Sequence, residues 1–500
     1  MKKKTITLLL LKFLKIGTTV LNLSLIAKFF GVSLERDSWL LAFNAIMIFD
    51  LAIWGAINET FRTKFIFLKE TEGPEFALEK TRSLLLFIFL ISSIMVTTVM
   101  FFPELPAKII APTFSGDKHQ LLLKMLVLIA PCFLINQATL IGISILNAYE
   151  SYFIPEISGF ISTLVSIVLL LIFAPYIGIY ALFISHYLSM LMLLGLVVFQ
   201  IKKFQIPIFS NYKNVNLKGF SIFFLFALPF FFPYFVGQLS SIIEKSIASS
   251  MGNGVVSIID YSKKFCEIFI GVLTSVLTTM LIPVLSLKFI QKKNEEFVAE
   301  FINIFQIGFF VLIATIALFN ACPDAFITIL YQSKKMTQTD FYLISDMAQA
   351  FSWSAMGVFF YLVFGLVLLS SDKPKIYAGL GLVAQVLNII FYITLSKYFG
   401  IFIFPMSLFL SHFVCGIFML KNFPVKTNII NSTLIKNFAV LFITVGIMYS
   451  LNKFLPFPSD AFIKLFLNIS LLSLLLLAEL FIFQFEERFF ILRIFKRIFK

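Results

Sequence analysis

The chain has 500 residues, of which 60% are hydrophobic and 13% are charged, and its formal net charge is +14. Soluble domains carry roughly 25% charged residues, so this composition excludes a water-soluble globular fold and indicates a membrane protein. Walker, HExxH and GxSxG motifs are absent and the three histidines are isolated, so we expect neither an enzyme nor a cofactor, metal or nucleic-acid partner.

Apolar segments of about 20 residues, the length that crosses a bilayer as a helix, recur along the whole chain. The first begins with basic residues as a signal peptide does, but it is too long and lacks a cleavage site, so we predict an uncleaved span. The sequence predicts fourteen spans, at approximately 5–30, 38–61, 83–103, 121–147, 153–174, 177–201, 219–243, 255–287, 301–322, 341–371, 376–396, 399–420, 432–452 and 461–484.

Lysine and arginine set the predicted orientation, because cytoplasmic loops retain positive charge. An amino terminus inside the cell places 27 of the 40 basic residues in the cytoplasm. Both termini are then cytoplasmic, and the longest outer loops are 103–120 and 323–340. The last residues, 488–500, place Arg493, Lys496, Arg497 and Lys500 on one helical face. They predict either a helix lying on the anionic inner leaflet or a disordered basic tail.

The chain also looks duplicated. IAKFFG (26–31) pairs with IASSMG (247–252), Pro103 with Pro323, and YIGIYALFISHYLSMLMLL (176–194) with YFGIFIFPMSLFLSHFVCG (398–416). The offset stays near 221 residues across six spans, which predicts two pseudo-symmetric lobes of the same orientation. The predicted divisions are a six-helix lobe at 1–203, a cytoplasmic linker at 204–218, a six-helix lobe at 219–422, two further transmembrane helices at 423–485 and a basic amphipathic tail at 486–500.

Charged residues inside spans are costly and usually face a polar interior. Asp50 lies near the middle of the second span, and we expect it either to line a polar cavity or to be a hydrogen-bonded carboxylic acid with a packing role. Asp260, Lys263, Lys264 and Glu267 share one helical face at the start of the eighth span. This set either lines a cavity or forms a solvated ladder of ion pairs at the outer interface.

More charges occur at the same predicted level. They are Glu244 and Lys245 before the Gly252–Gly254 turn, and Lys28, Arg36 and Asp37 at the corresponding turn of the first lobe. If the two lobes face each other, these groups would share one polar chamber.

Four segments resemble the MurJ (MviN) lipid II flippases of the multidrug/oligosaccharidyl-lipid/polysaccharide exporter superfamily. They are IAKFFGVSLERDSWLLAF (26–43), IIAPTFSGD (109–117), ILNAYESYFIPEIS (145–158) and YSKKFCEIFIGVLTSVLTTMLIPVLS (261–286). The resemblance covers about the first 420 residues and implies an all-α polytopic membrane protein, with a V-shaped pair of six-helix lobes around a cationic cavity. The two extra helices are implied to form a groove for a lipid tail.

The resemblance also implies roles for single residues. The family's basic residue before the first Phe-Gly turn matches Lys28 and its loop aspartate matches Asp37, while the eighth-span pair falls on Lys264 and Glu267. The sequence departs from the family pattern at Asn22, Asp50 and Lys263. Lysine in place of arginine attracts phosphate as a point charge without a bidentate fork. These departures leave open a related surface-polysaccharide precursor as the substrate.

The combined interpretation is a flippase that moves a polyprenyl-diphosphate-linked glycan from the inner to the outer leaflet of the bacterial cytoplasmic membrane by alternating access. Its partners would be the glycan lipid, membrane lipids and cell-wall or polysaccharide biosynthesis enzymes, and we expect a monomer. Headgroup contacts are predicted at Lys28, Lys245, Lys263 and Lys264, and gating or ion coupling at Asp37, Asp50, Glu244, Asp260 and Glu267.

Three other functions remain open. The main alternative is a cation-coupled drug or metabolite antiporter of the same superfamily, with Asp50 as its ion site. A polysaccharide polymerase would need an outer catalytic loop that is not seen in the sequence. A membrane scaffold would leave the duplication without a purpose.

Overall fold

The structure is a computed structural model, and it describes residues 2–149, 151, 153–208, 216–425 and 428–483. Within these residues the chain is helical and contains no strand, which confirms the predicted all-α class. The predicted basic tail, with Arg493, Lys496, Arg497 and Lys500, lies outside the described residues.

The helices follow one another with short connections. In chain order they are α1 (Lys2–Phe30), α2 (Leu34–Thr71), α3 (Pro74–Phe101), α4 (Glu104–Ile110), α5 (Asp117–Ile129), α6 (Cys132–Ala148), α7 (Phe153–Ile177), α8 (Ala181–Lys203), α9 (Leu217–Ser250), α10 (Val255–Ile290), α11 (Asn294–Ala321), α12 (Pro323–Tyr331), α13 (Gln338–Ser370), α14 (Pro374–Phe399), α15 (Ile403–Lys421), α16 (Asn428–Phe454) and α17 (Ala461–Ile482).

Ten helical stretches of the described chain are long and apolar enough to cross a membrane. Three of these stretches each contain two of the helices above, namely Asp117–Ala148, Ile154–Lys203 and Pro374–Lys421, which are 32, 50 and 48 residues long. Their length and hydropathy fit a polytopic membrane protein, whereas the predicted number of fourteen spans stays a prediction.

Side-chain caps fix several helix starts. Ser33 accepts a hydrogen bond from the backbone N–H of Arg36 at the start of α2, and Asp460 accepts one from Ile463 at the start of α17. Thr337 and Asp340 form a reciprocal capping box that opens α13. Each cap satisfies a backbone donor that has no partner within its own helix.

The chain packs as two units, and the first comprises residues 1–257, 333–336 and 392–401. In this unit α2 is the central helix, in contact with α3, α5, α6 and α9, while α7 packs between α1 and α8. Trp54, at the centre of α2, is 2% exposed and donates through Nε1 to Ser92 Oγ of α3 at 3.1 Å. The buried face of α2 therefore positions Asp37 and Asp50, which lie on the same helix.

The second unit comprises residues 258–332, 337–391 and 402–500. Here α13 packs against α11, α12 and α15, and α11 packs against α16 and α17. Its core is rich in phenylalanine because α11 and α13 bring fully or nearly fully buried aromatic rings together, namely Phe301, Phe305, Phe309, Phe359, Phe360 and Phe364.

The order of elements repeats along the chain. The series from α1 to α8 recurs from α9 to α15, with α13 in the place of both α5 and α6. The short helices α4 and α12 occupy corresponding places after Pro103 and at Pro323. Gly178 and Gly400, with φ of 56° and 54°, each open a short 3₁₀ turn before the last helix of their series. This recurrence bears out the duplication seen in the sequence, whereas the predicted domain limits follow the repeat and stay a prediction.

The helices add detail to the predicted spans and loops in three places. The outer loops 103–120 and 323–340 contain α4 and α12, which are too short to be recognised as spans. The span predicted at 121–147 lies within one apolar helical stretch, Asp117–Ala148, in which Ala130 and Pro131 separate α5 from α6. α2 continues to Thr71, beyond the predicted end of the second span at residue 61, so a short turn before Pro74 connects it to α3.

Candidate functional site

Asp50 is completely buried in the first unit. Its two carboxylate oxygens accept hydrogen bonds from the side-chain amides of Asn136 (2.5 Å) and Gln137 (2.8 Å), both on α6. Burying a carboxylate costs several kcal/mol unless donors compensate for the lost water. Both oxygens of Asp50 therefore have amide donors, and the choice between a cavity-lining role and a packing role for this side chain stays a prediction.

Asp37 is also buried, in the first turn of α2. Its carboxylate accepts from the backbone N–H groups of Gly254 and Ser257, at 2.5 and 2.7 Å, and from the Ser257 hydroxyl. Gly254 has no side chain and immediately precedes α10, so Asp37 supplies the cap that this helix start lacks. These contacts fix the first turn of α10, and the gating role expected for Asp37 stays a prediction.

Glu244 and Lys245 are neighbours on α9 and form an ion pair with a Nζ to Oε1 distance of 3.2 Å. The Tyr392 hydroxyl donates to the other carboxylate oxygen of Glu244 at 3.3 Å. Lys28, at the end of α1, is exposed, and its backbone carbonyl accepts from the Ser333 hydroxyl at 3.0 Å. The first unit thus holds Lys245 against a carboxylate and presents Lys28 on its surface.

The charged set on α10, which is Asp260, Lys263, Lys264 and Glu267, lies entirely in the second unit. Lys264 Nζ lies 2.9 Å from Glu267 Oε2, and the two side chains are 32% and 45% exposed. Asp260 and Lys263 are half-buried on the same helix. Lys264 is thus paired with Glu267 and both side chains are partly exposed, whereas the choice between a cavity lining and a ladder of ion pairs at the outer interface stays a prediction.

Sequence reasoning missed several polar partners. Asn136 and Gln137 stand together in the apolar run CFLINQATLIG, and two adjacent amides at that depth are a signal that could have identified them. Lys15, within α1, approaches Glu156 of α7 at 3.7 Å. Lys15 is the last basic residue before the uncharged stretch 16–27, which marks it as another candidate cation inside the first unit.

The chain is similar to known proteins over most of its length. The profile of the family described as lipid II flippase MurJ matches residues 26–476. A probable lipid II flippase MurJ from Buchnera aphidicola subsp. Baizongia pistaciae (strain Bp) is 26% identical over 364 residues, which are 70% of this chain and 69% of that protein. The corresponding protein of Buchnera aphidicola subsp. Schizaphis graminum (strain Sg) is 24% identical over 66% of this chain and 65% of its own length.

Solved structures support the fold. A lipid II flippase MurJ in an inward closed conformation matches with a TM-score of 0.79 and 19% identity, covering 95% of this chain and 100% of that chain. An inward-facing multidrug resistance MATE family transporter of the MOP superfamily matches with a TM-score of 0.63 and 12% identity, covering 88% and 96%. Because the family profile spans most of the sequence, the chain belongs to the lipid II flippase MurJ family.

Proposed function

We propose that this chain moves a polyprenyl-diphosphate-linked glycan, with lipid II as the first candidate, from the inner to the outer leaflet by alternating access. The family match over residues 26–476 carries this proposal. The curated relatives named as probable lipid II flippases support it, and the MurJ fold provides a helical frame of the right kind. The protein would change the position of its substrate and make or break no covalent bond.

The lysines of α10 are the proposed contacts for the diphosphate. Lys264 is half-exposed and already paired with Glu267 at 2.9 Å, so a phosphate oxygen would replace a carboxylate oxygen on the same amine. A lysine and a phosphate 4 Å apart attract each other by about 4 kcal/mol at an effective dielectric constant of 20. That attraction helps to offset the loss of water from a charged headgroup, and Lys263 on the neighbouring position adds to it.

Glu267 would act as a competitor that keeps Lys264 occupied between transport cycles. In the first unit, Lys28 and Lys245 are further candidate contacts for the diphosphate. Glu244 forms an ion pair with Lys245, as Glu267 does with Lys264. We assign Asp37 and Asp50 to holding helices in place, and Asp260 to tuning the charge of the α10 set. In this proposal the protein works as a monomer in the bacterial cytoplasmic membrane, with both termini inside the cell.

The direct test is complementation in bacterial cells depleted of their own lipid II flippase. The wild-type chain is expected to restore growth, and Lys264→Glu is expected to abolish it while the protein still accumulates in the membrane. Lys293→Glu is the matched control, because Lys293 is a 49% exposed lysine paired with Glu296 at 3.1 Å, outside the α10 set. Growth of the Lys264→Glu cells at the wild-type rate would refute the assignment of Lys264.

The same cells separate the rival functions. The wild-type chain could fail to restore growth and yet rescue a strain that lacks a surface-polysaccharide flippase. That result would indicate that the substrate is another polyprenyl-linked glycan. Protection against cationic dyes that disappears in Asp50→Asn would instead favour the antiporter.

A further inference from the structure

The two helices outside the duplicated series, α16 and α17, share buried polar side chains. Thr444 on α16 and Asn468 on α17 are completely buried, and Glu479 on α17 is 2% exposed. Asn468 bonds to Asn452 across the pair, and Glu479 Oε2 lies 2.7 Å from the Thr444 hydroxyl. Glu479 lies just beyond residue 476, the last that the family profile matches.

The donors around Glu479 distinguish it from the other buried acids of the described chain. Asp50 accepts from two amides, Asp37 from backbone N–H groups, and Glu244 from the amine of Lys245. Glu479 has a hydroxyl as its hydrogen-bond partner, and its second oxygen, Oε1, is buried without a partner among the described residues. An ionised carboxylate, which can only accept, would leave that oxygen charged and unsolvated.

The hydroxyl itself points to the same conclusion. Thr444 Oγ1 lies 2.7 Å from the backbone carbonyl of Val440 and 2.7 Å from Glu479 Oε2. A hydroxyl has one hydrogen, and a threonine within a helix commonly donates it to the carbonyl four residues earlier. If it is donated to Val440, the hydrogen between Thr444 and Glu479 must come from the acid.

We infer that Glu479 carries a bound proton and donates it to Thr444, so that the contact between α16 and α17 is a proton-binding site. The hydrogen bonds then run in one direction, from the Glu479 acid to Thr444 and from Thr444 to Val440. The neutral C=O of the acid can remain without a donor at far lower cost than an oxygen of a carboxylate. This inference does not depend on the transported substrate.

The charged residues of the surrounding helices lie toward helix ends. On the elements that pack against α17, and on α17 itself, they are Lys436 and Lys453 on α16, Glu295, Glu296 and Glu300 on α11, Asp324 on α12 and Lys464 on α17. Lys464 forms an ion pair with Asp324 at 2.8 Å, so its partner is a carboxylate other than that of Glu479.

Infrared spectroscopy of the full-length protein in lipid bilayers at neutral pH tests the inference. The wild type should show absorption in the carbonyl region typical of protonated carboxylic acids, and Glu479→Gln should remove one band there. The Gln amide keeps a donor for Thr444, so this variant should melt at the wild-type temperature. Asp324→Asn, which removes an ion-paired carboxylate, should leave the acid region unchanged.

Thr444→Val provides a second, independent variant. It removes the acceptor, so the Glu479 band should shift to the higher frequency of an acid without a hydrogen-bonded partner. The inference is overturned if Glu479→Gln removes absorption from the carboxylate region, or if neither variant changes the acid region. If Glu479→Gln does not fold, Thr444→Val alone provides the test. A shift of the acid band to higher frequency then supports the inference, and an unshifted acid band overturns it.

Discussion

The carboxylate of Asp50 lies within the apolar body of α2 and is kept there by two amides of α6. Asp37 is held by backbone N–H groups at the start of α10. Each of these acids is buried together with the donors that replace its water, so each links two helices rather than facing an open solution.

Substitution of Asp50 tests this account. Asp50→Leu leaves the buried amide of Gln137 and the half-buried amide of Asn136 without this acceptor. It is expected to lower the free energy of unfolding by roughly 1–3 kcal/mol for Gln137 and by less for Asn136. Asp50→Asn should cost less, because its amide can donate to Gln137 Oε1, which is buried without a partner among the described residues. Thermal unfolding in detergent measures both. Equal melting temperatures for the two variants would contradict the hydrogen-bonding role.

The sequence could not predict which donors pair with these two acids. The positions of Asp50 and Asn136 differ by 86, and those of Asp37 and Ser257 by 220. Hydropathy identified Asp50 as unusual, because a charge within an apolar run stands out locally. The adjacent amides Asn136 and Gln137 also stand out in their apolar run, but their pairing with Asp50 is set by how helices pack and not by spacing along the chain. The shared face of Lys264 and Glu267 was predictable because the two residues are about one helical turn apart.

At the level of helices, the start of α10 depends on a residue without a side chain. Gly254 has a φ of 83°, in the left-handed region that favours glycine, and a Cβ added to it would collide with Cγ1 of Val32. Its N–H is also one of the donors to Asp37. The tight turn and the cap therefore require glycine at this position.

Gly254→Ala is expected to destabilise the protein more than Gly73→Ala. Gly73 has a φ of 95° but open space around a new Cβ, so its substitution should cost only the backbone strain of about 1 kcal/mol. At Gly254 the collision with Val32 adds to the same strain. Melting temperatures of the two variants give the comparison, and a smaller loss for Gly254→Ala would show that the turn can rearrange freely.

The contact between α12 and α17 depends in part on an ion pair. Lys464 Nζ lies 3.0 and 2.8 Å from the two carboxylate oxygens of Asp324, whose side chain is 44% exposed. Exposure and salt weaken such pairs, so a double-mutant cycle with Asp324→Asn and Lys464→Met should give a coupling energy of roughly 0.2–1 kcal/mol. A coupling near zero at low salt would mean that the two helices are held by apolar packing alone.

The long apolar helices were mostly predictable from hydropathy, but the breaks within apolar runs and the short helices were not. An apolar run such as 121–147 hides the break at Ala130 and Pro131, because proline is tolerated where a new helix begins. The short helices α4 and α12 hold too few residues to produce a recognisable apolar window. The duplication was easier to detect, because a constant offset accumulates over many elements.

At the level of the whole molecule, the charge distribution predicts that the turn at 72–73 faces the cytoplasm and the segment 112–116 faces outward. Cysteine labelling checks this. The four native cysteines are buried and should react little with a membrane-impermeant maleimide. Thr113 and Glu72 are both exposed, so a cysteine at either position can react if it faces the outside of the cell. In cells whose outer membrane has been removed and whose cytoplasmic membrane is intact, Thr113→Cys should therefore be labelled and Glu72→Cys protected. The reverse pattern would invert the proposed orientation.

The central claim is that this chain carries a diphosphate-linked lipid across the bilayer with Lys264 as a headgroup contact. The purified protein can be placed in vesicles with fluorescent lipid II, and the fraction reached by an impermeant quencher reports translocation. The account predicts flipping by the wild type and by Lys293→Glu, and its loss in a folded Lys264→Glu protein. Equal flipping by all three proteins, or none above protein-free vesicles for the wild type, would contradict it.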